Sequence, residues 1–194
     1  TGELRIQFSA AITHVDGLDK LSIVGSNVSV VSNANLENID GLSLLERIDG
    51  DLKVTGNKGL QNIDGLQGLK GEVGGDVRIE NQQSLANLGG LGSITDIAGA
   101  LYINGNDAIK NLAGLDGLKT IGGLISVKDN TSLEDIDALS SIYQANLHIQ
   151  IEDNDALLNV DGLSLIQGVI PGNLHIRDNA LLANLEGLDA VEVV

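Results

Sequence analysis

Catalysis by side chains needs a base, a nucleophile or a cluster of metal ligands, and this chain offers little of the first two. His14, His148 and His175 are its only histidines, and none stands at a triad-like spacing from a serine or a paired carboxylate. Cysteine is absent, which excludes a thiol nucleophile, a thiolate metal site and a disulfide scaffold. Carboxylates are abundant, and several recur in register: Asp16, Asp40, Asp64, Asp137, Asp161 and Glu186, interrupted by Gly89 and Ala113. Such a column reads two ways. It aligns oxygen ligands for a cation such as Ca²⁺, most densely at Glu152-Asp153-Asn154-Asp155, or each acid caps a short turn by accepting backbone N–H groups. The interruptions and the lack of a calcium-loop consensus favour caps. No metal, no cofactor and no enzymatic activity are therefore expected.

The elements that position these residues follow from a repeat. With Asn57 as anchor, equivalent positions are Ser9, Asn33, Gln82, Asn106, Asn130, Asn154 and Asn179, at successive spacings of 24, 24, 25, 24, 24, 24 and 25. Apolar residues follow each anchor by 3, 6, 9 and 12 positions, and the ninth is leucine every time, from Leu18 to Leu188. An apolar-x-apolar triplet, such as Leu52-Lys53-Val54, precedes each anchor and reads as a short strand with its flanking side chains inward. One unit cannot bury these residues alone, whereas stacked units bury them against each other. The anchor column and a second one five residues on (Asn38, Asn62, Asn87, Asn111, Asn159 and Asn184, with His14 and Asp135 as departures) are both expected to form amide ladders between coils. Glycine just before the all-leucine column, replaced once by Ala138, is expected to supply a tight or left-handed turn.

A further column lies at the exposed centre of each strand. It reads Arg5, Ser29, Lys53, Arg78, Tyr102, Ser126, Gln150 and His175, holding three of the eleven basic residues and no acid. Arg5, Lys53, Arg78, Tyr102 and His175 are the candidate ligand-binding residues, with Tyr102 as an amphipathic anchor. The alternative is a solvated sheet surface whose cations offset neighbouring acids across strands.

Composition narrows the partners. A net charge of −16 repels a phosphate backbone, so nucleic acid is not expected. No apolar stretch approaches the roughly 18 residues needed to cross a bilayer, so no membrane insertion is expected. Three aromatics in all argue against an aromatic-lined cofactor pocket, and against a glycan more than a protein ligand. Asn27-Val28-Ser29 and Asn130-Thr131-Ser132 match the glycosylation pattern, with Asn130 expected to be inaccessible as a ladder residue.

The phrase Leu-x-Ile-x-x-Asn-x-x-Leu is close to the leucine-rich-repeat signature. Together, Asn-Ile-Asp-Gly-Leu-x-x-Leu and the strand that follows resemble the receptor L domain over essentially the whole chain, Leu4 to Val194. That resemblance implies a right-handed, leucine-rich-repeat-like β-helix serving as a ligand-binding module, here of the cysteine-free type found in microbial surface proteins. Animal L domains carry disulfides and flank a Cys-rich module, so hormone-receptor function does not carry over. The expected architecture is a right-handed parallel β-solenoid of about eight 24–25-residue coils, residues 1–194 forming one domain of a longer protein, roughly 38 Å long at the usual strand spacing. One parallel sheet is expected, with turns opposite it. The expected role is a non-enzymatic extracellular or cell-surface recognition or adhesion module binding a protein or glycan through the strand face. The alternative is a structural spacer or assembly unit of a surface fibre or adhesin, self-associating through a C-terminal coil whose Val191-Glu192-Val193-Val194 is no cap; an intracellular scaffold is a third reading.

Overall fold

Valine, isoleucine and leucine two residues apart point to one side of extended backbone, and the polar residue between them points to the other. The triplets accordingly form the strands Leu4–Gln7, Val28–Val31, Leu52–Thr55, Val77–Glu80, Leu101–Asn104, Ile125–Lys128, Ile149–Glu152 and Leu174–Arg177. In the computed structural model, which describes residues 2–145 and 148–194, these make one eight-stranded parallel sheet in chain order. Each strand pairs with the next in strict register, Lys53 opposite Arg78 and Arg78 opposite Tyr102. Successive strands belong to successive coils of a parallel β-solenoid, called coils 1 to 8 below.

The opposite wall differs from the expectation of turns alone. Two kinds of element occupy it. Asp-Gly-Leu and its variants form single 3-10 turns, as at Asp40–Leu42 and Asp64–Leu66, in seven coils among the described residues. A second run of short parallel strands follows, including Gly71–Val73, Ile94–Ile97, Thr120–Ile121 and Gln144–Ala145 in one four-stranded sheet. Val191–Val193 belongs to this run and pairs with Gly168–Val169.

Between the walls lies an aliphatic core. Val28, Val30, Leu36, Ile39, Leu42 and Leu45 of coil 2 are all fully buried, and their equivalents continue to coil 7. Each such leucine or isoleucine contributes about 1.5–3 kcal/mol by leaving water, which is how coils with almost no aromatic residues hold together.

The anchor ladder forms as expected. Asn33, Asn57, Gln82, Asn106, Asn130 and Asn154 are completely buried. The Asn106 Oδ1 accepts the Gln82 N–H at 3.1 Å, and its Nδ2 donates to the Ile79 carbonyl at 2.9 Å. The same arrangement repeats from coil to coil, as at Asn130 and Asn154. Just before the anchor the chain turns through a left-handed residue, filled by Ser32, Asn81, Asp129, Asp153 and Asp178 as well as by Gly56 and Gly105, all near φ +55 to +68°. Asparagine and aspartate tolerate this region better than other side chains.

The second asparagine column is not a ladder. Each of its oxygens accepts an N–H two residues ahead in its own coil: Asn62 from Asp64 at 3.1 Å, Asn87 from Gly89 at 2.9 Å, Asn159 from Asp161 at 3.0 Å. These Asx turns take the donors that the acidic column was expected to take, and no acid of that column caps its 3-10 turn. The glycine column also has a different cause from the expected one. A Cβ at Gly65 or Gly162 would collide with the Ile39 or Ile136 carbonyl oxygen of the preceding coil, so glycine is required by close approach rather than by dihedral angle. Only Gly114 in this column has positive φ, 110°, in a coil without the 3-10 turn, and Ala138 stands in the coil that follows.

Candidate functional site on the strand face

Period-two alternation and exact stacking put the candidate column on one line. Arg5, Ser29, Lys53, Arg78, Tyr102, Ser126, Gln150 and His175 are partners in register across all eight strands. Adjacent strands lie about 4.8 Å apart, which brings Lys53, Arg78 and Tyr102 together. Arg5 stands two strands from Lys53, and His175 three strands from Tyr102, so neither joins that group.

Arg78 is held from two directions. Its guanidinium lies 3.6 Å from the Tyr102 ring centroid, and one nitrogen donates to the Asp76 Oδ2 at 2.8 Å. Asp76 is fixed in turn, because its Oδ1 accepts the Ala100 N–H at 2.9 Å. Partial burial works against the Arg78 charge, but Asp76 and Tyr102 outweigh it and its pKa rises above the ordinary arginine value. Asp76 belongs to a short file at the entry to the strands, where Asn27, Asp51 and Asp76 each accept the backbone N–H of the next coil at 2.8–2.9 Å. His148 does the same for Asn173 through Nδ1, at 2.8 Å.

His175 joins a different cluster. Its Nδ1 is 3.6 Å from the Glu152 Oε1, while Lys128 Nζ and Arg177 donate to the Glu152 Oε2 at 3.0 and 2.9 Å. The Glu152 side chain is 3% exposed. The hydrogen bond from Arg177, then that from Lys128 and their charges, outweigh burial and hold its pKa at about 2. The signal for this cluster was in the sequence: Lys128, Glu152 and Arg177 occupy the same place in consecutive coils and alternate in sign. Beside it Ser126 is buried and donates to the Asn104 Oδ1 at 3.0 Å, and Asn104 donates to Glu80 at 3.2 Å.

Charge on this face departs from that of the chain as a whole. Its three outward columns carry Glu3, Asp51, Asp76, Glu80 and Glu152 against Arg5, Lys53, Arg78, Lys128 and Arg177. These balance, so the net charge of −16 lies on the other sides of the solenoid. Among the four partnered cations, Arg5 pairs with Glu3, Arg78 with Asp76, and Lys128 and Arg177 with Glu152. Lys53 alone has no carboxylate within 4.0 Å among the described residues.

Past the strand ends an open groove of about 600 Å³ is lined by Asp107, Asp129, Asp153 and Asp155 together with Lys58 and Thr131. The acidic tract at 152–155 does not converge there. Glu152 turns onto the strand face and Asn154 into the ladder, leaving Asp153 and Asp155 in the groove. Among the described residues no three His, Asp or Glu side chains gather as metal ligands. Asn130 is buried with Nδ2 bonded to the Ile103 carbonyl, whereas Asn27 is half-buried and only its Oδ1 is engaged.

Comparisons of the chain with protein-family models, with curated proteins and with solved structures found no match.

Proposed function

We propose that this chain is a non-enzymatic recognition or adhesion module of the cell surface or extracellular space, binding a protein or glycan through its strand face. The observation that carries the reading is the Asp76–Arg78–Tyr102 arrangement, a cation fixed by a carboxylate and an aromatic ring at the centre of a charge-balanced sheet. Pre-ordered arginine and tyrosine side chains lose little entropy on binding and are the residue types that dominate interface energetics. The resemblance to receptor L domains, with their leucine-rich-repeat character, supports the same reading.

The test is a screen of the folded protein against arrayed ectodomains and glycans, followed by Arg78→Glu and Tyr102→Ala. A recognition module loses partner binding in both variants while its far-UV circular dichroism is unchanged. Binding that survives both substitutions rejects the strand face as the site.

The second reading is a structural spacer or assembly unit of a surface fibre, associating through its C-terminal coil. It is favoured by the unbroken register of the eight parallel strands, and Leu181 and Leu185 of that coil would lie at the contact. Sedimentation velocity over a concentration series, with and without calcium, separates the two. Self-association lost in Leu181→Ser and Leu185→Ser supports the assembly unit, and a monomer at every concentration rejects it.

A further inference from the structure

Resting on the strand-face reading, we infer that the partner is a protein segment that places a single carboxylate, an Asp or Glu side chain, between Lys53 and Arg78. Every other cation of the face already has a carboxylate, and Lys53 has none within 4.0 Å among the described residues. Its neighbour in register is Arg78, one strand away at about 4.8 Å. A carboxylate has two oxygens and so bridges an ammonium and a guanidinium at that spacing. Arg78 gives one nitrogen to Asp76 and retains donors for a second acceptor, since a guanidinium carries five N–H groups. Its guanidinium is held over Tyr102 and by Asp76, so the second acceptor meets a donor whose position is already fixed.

Two observations decide for a protein segment of low net charge. The Tyr102 ring has the Arg78 guanidinium at 3.6 Å from its centroid, so the one aromatic of the strand face has a face taken up where a sugar ring would stack. The acidic groove with Asp107, Asp129 and Asp153 runs beside the strand ends, and the chain carries −16 in total. A polyacidic segment would be repelled by these surroundings. One carboxylate in an otherwise neutral segment is admitted, because the face itself is balanced.

The experiment is panning of a random dodecapeptide display library on the immobilised chain, with counter-selection on the folded Tyr102→Ala variant. Basic peptides that adhere to the acidic sides bind both baits and are removed. The peptides that remain are expected to carry one Asp or Glu at a common position and few other charges. Their affinity is expected to fall about tenfold with Lys53→Ala, and equally when that Asp or Glu becomes Asn or Gln. Lys58→Ala, on the groove, is expected to leave it unchanged. Peptides that distinguish the baits but lack an acid, or that ignore Lys53→Ala, overturn the carboxylate inference and leave the strand-face reading standing. No peptide distinguishing the baits overturns both.

Discussion

Replacing Glu152 with glutamine tests whether the cluster of opposite charges on coils 6 to 8 holds the sheet together or merely decorates it. The carboxylate is 3% exposed and bonded by Lys128 and Arg177, which depresses its pKa from 4.5 to about 2. A group whose pKa is lower in the folded than in the unfolded chain stabilises the fold above its unfolded value and loses that contribution as pH falls through the folded one. The window is therefore pH 4.5 down to about 2. A shift of that size corresponds to about 3 kcal/mol, in line with the cost of removing one partner of a buried ion pair. Glutamine keeps the shape and one acceptor but has no charge. Arg177, 64% exposed, can turn to water; Lys128, 25% exposed, is the cation left stranded.

The assay is urea unfolding followed by far-UV circular dichroism, wild type against Glu152→Gln, at pH 7, 4 and 2. Comparison of the two proteins matters, because protonation of the other carboxylates relieves repulsion in a chain of net charge −16 and shifts both curves together. The variant is expected to be about 3 kcal/mol less stable at pH 7, with the gap closing by pH 2. A gap that is the same at pH 7 and pH 2, or below about 1 kcal/mol at pH 7, refutes the electrostatic account.

Three further outcomes follow from the coil geometry. Asn106→Ala removes a buried side chain that serves the Gln82 N–H and the Ile79 carbonyl, and is expected to cost about 3 kcal/mol by urea unfolding; Asn179→Ala, on the more exposed last coil, is expected to cost less. Gly65→Ala drives a methyl group into the Ile39 carbonyl oxygen and is expected to lower the melting temperature sharply, whereas Ala138→Gly is expected to change it little. Asp137 is exposed, yet partial desolvation and then Asp135 and Asp161 raise its pKa, so its ionisation, weakened by solvent screening, opposes folding as pH rises through the carboxylate range. Asp137→Asn is accordingly expected to stabilise the protein slightly at pH 7, by under about 0.5 kcal/mol, and not at pH 3, as read by paired denaturation curves.

The stacking register was legible because a solenoid writes it into the period. Seven spacings of 24 or 25 residues place Asn57 beside Asn33 and Lys53 beside Arg78 without any structural input. The second run of strands was not legible: two-residue strands such as Thr120–Ile121 leave no alternation to detect, and their outward residues, Arg47, Glu72, Asp96 and Thr120, share no property. The roles of Asn62 and Asp64 were exchanged for a similar reason. Both side chains carry an oxygen that can accept a nearby N–H, and only the turn geometry shows that the Asn62 oxygen reaches it while Asp64 supplies the donor. At the strand face the stripe was legible but its grouping was not. Which cation has a carboxylate depends on where Asp76 and Glu152 point, and Glu152 lies in a neighbouring column that its alternation with Lys128 and Arg177 could have revealed.

The distribution of variation over the coils bears on function more than any single residue does. A coil's inward positions are fixed by packing, and its Asn-Ile-Asp-Gly turn by Asx bonding and by the collision that excludes a Cβ at the glycine. Only the outward columns are free to differ between coils. Were those columns merely solvated, their charges would follow the chain, which has 27 acids and 11 bases. On the strand face acids and bases are instead equal, and the bases cluster at the strand centres. Apart from the buried Glu152 cluster, stability does not require this, since an exposed ion pair contributes at most about 1 kcal/mol and polar uncharged residues would serve a spacer equally well. Keeping one wall neutral on a particle of charge −16 matters most when another molecule approaches that wall, which is why the strand face, rather than the more acidic groove beside it, is proposed as the functional surface.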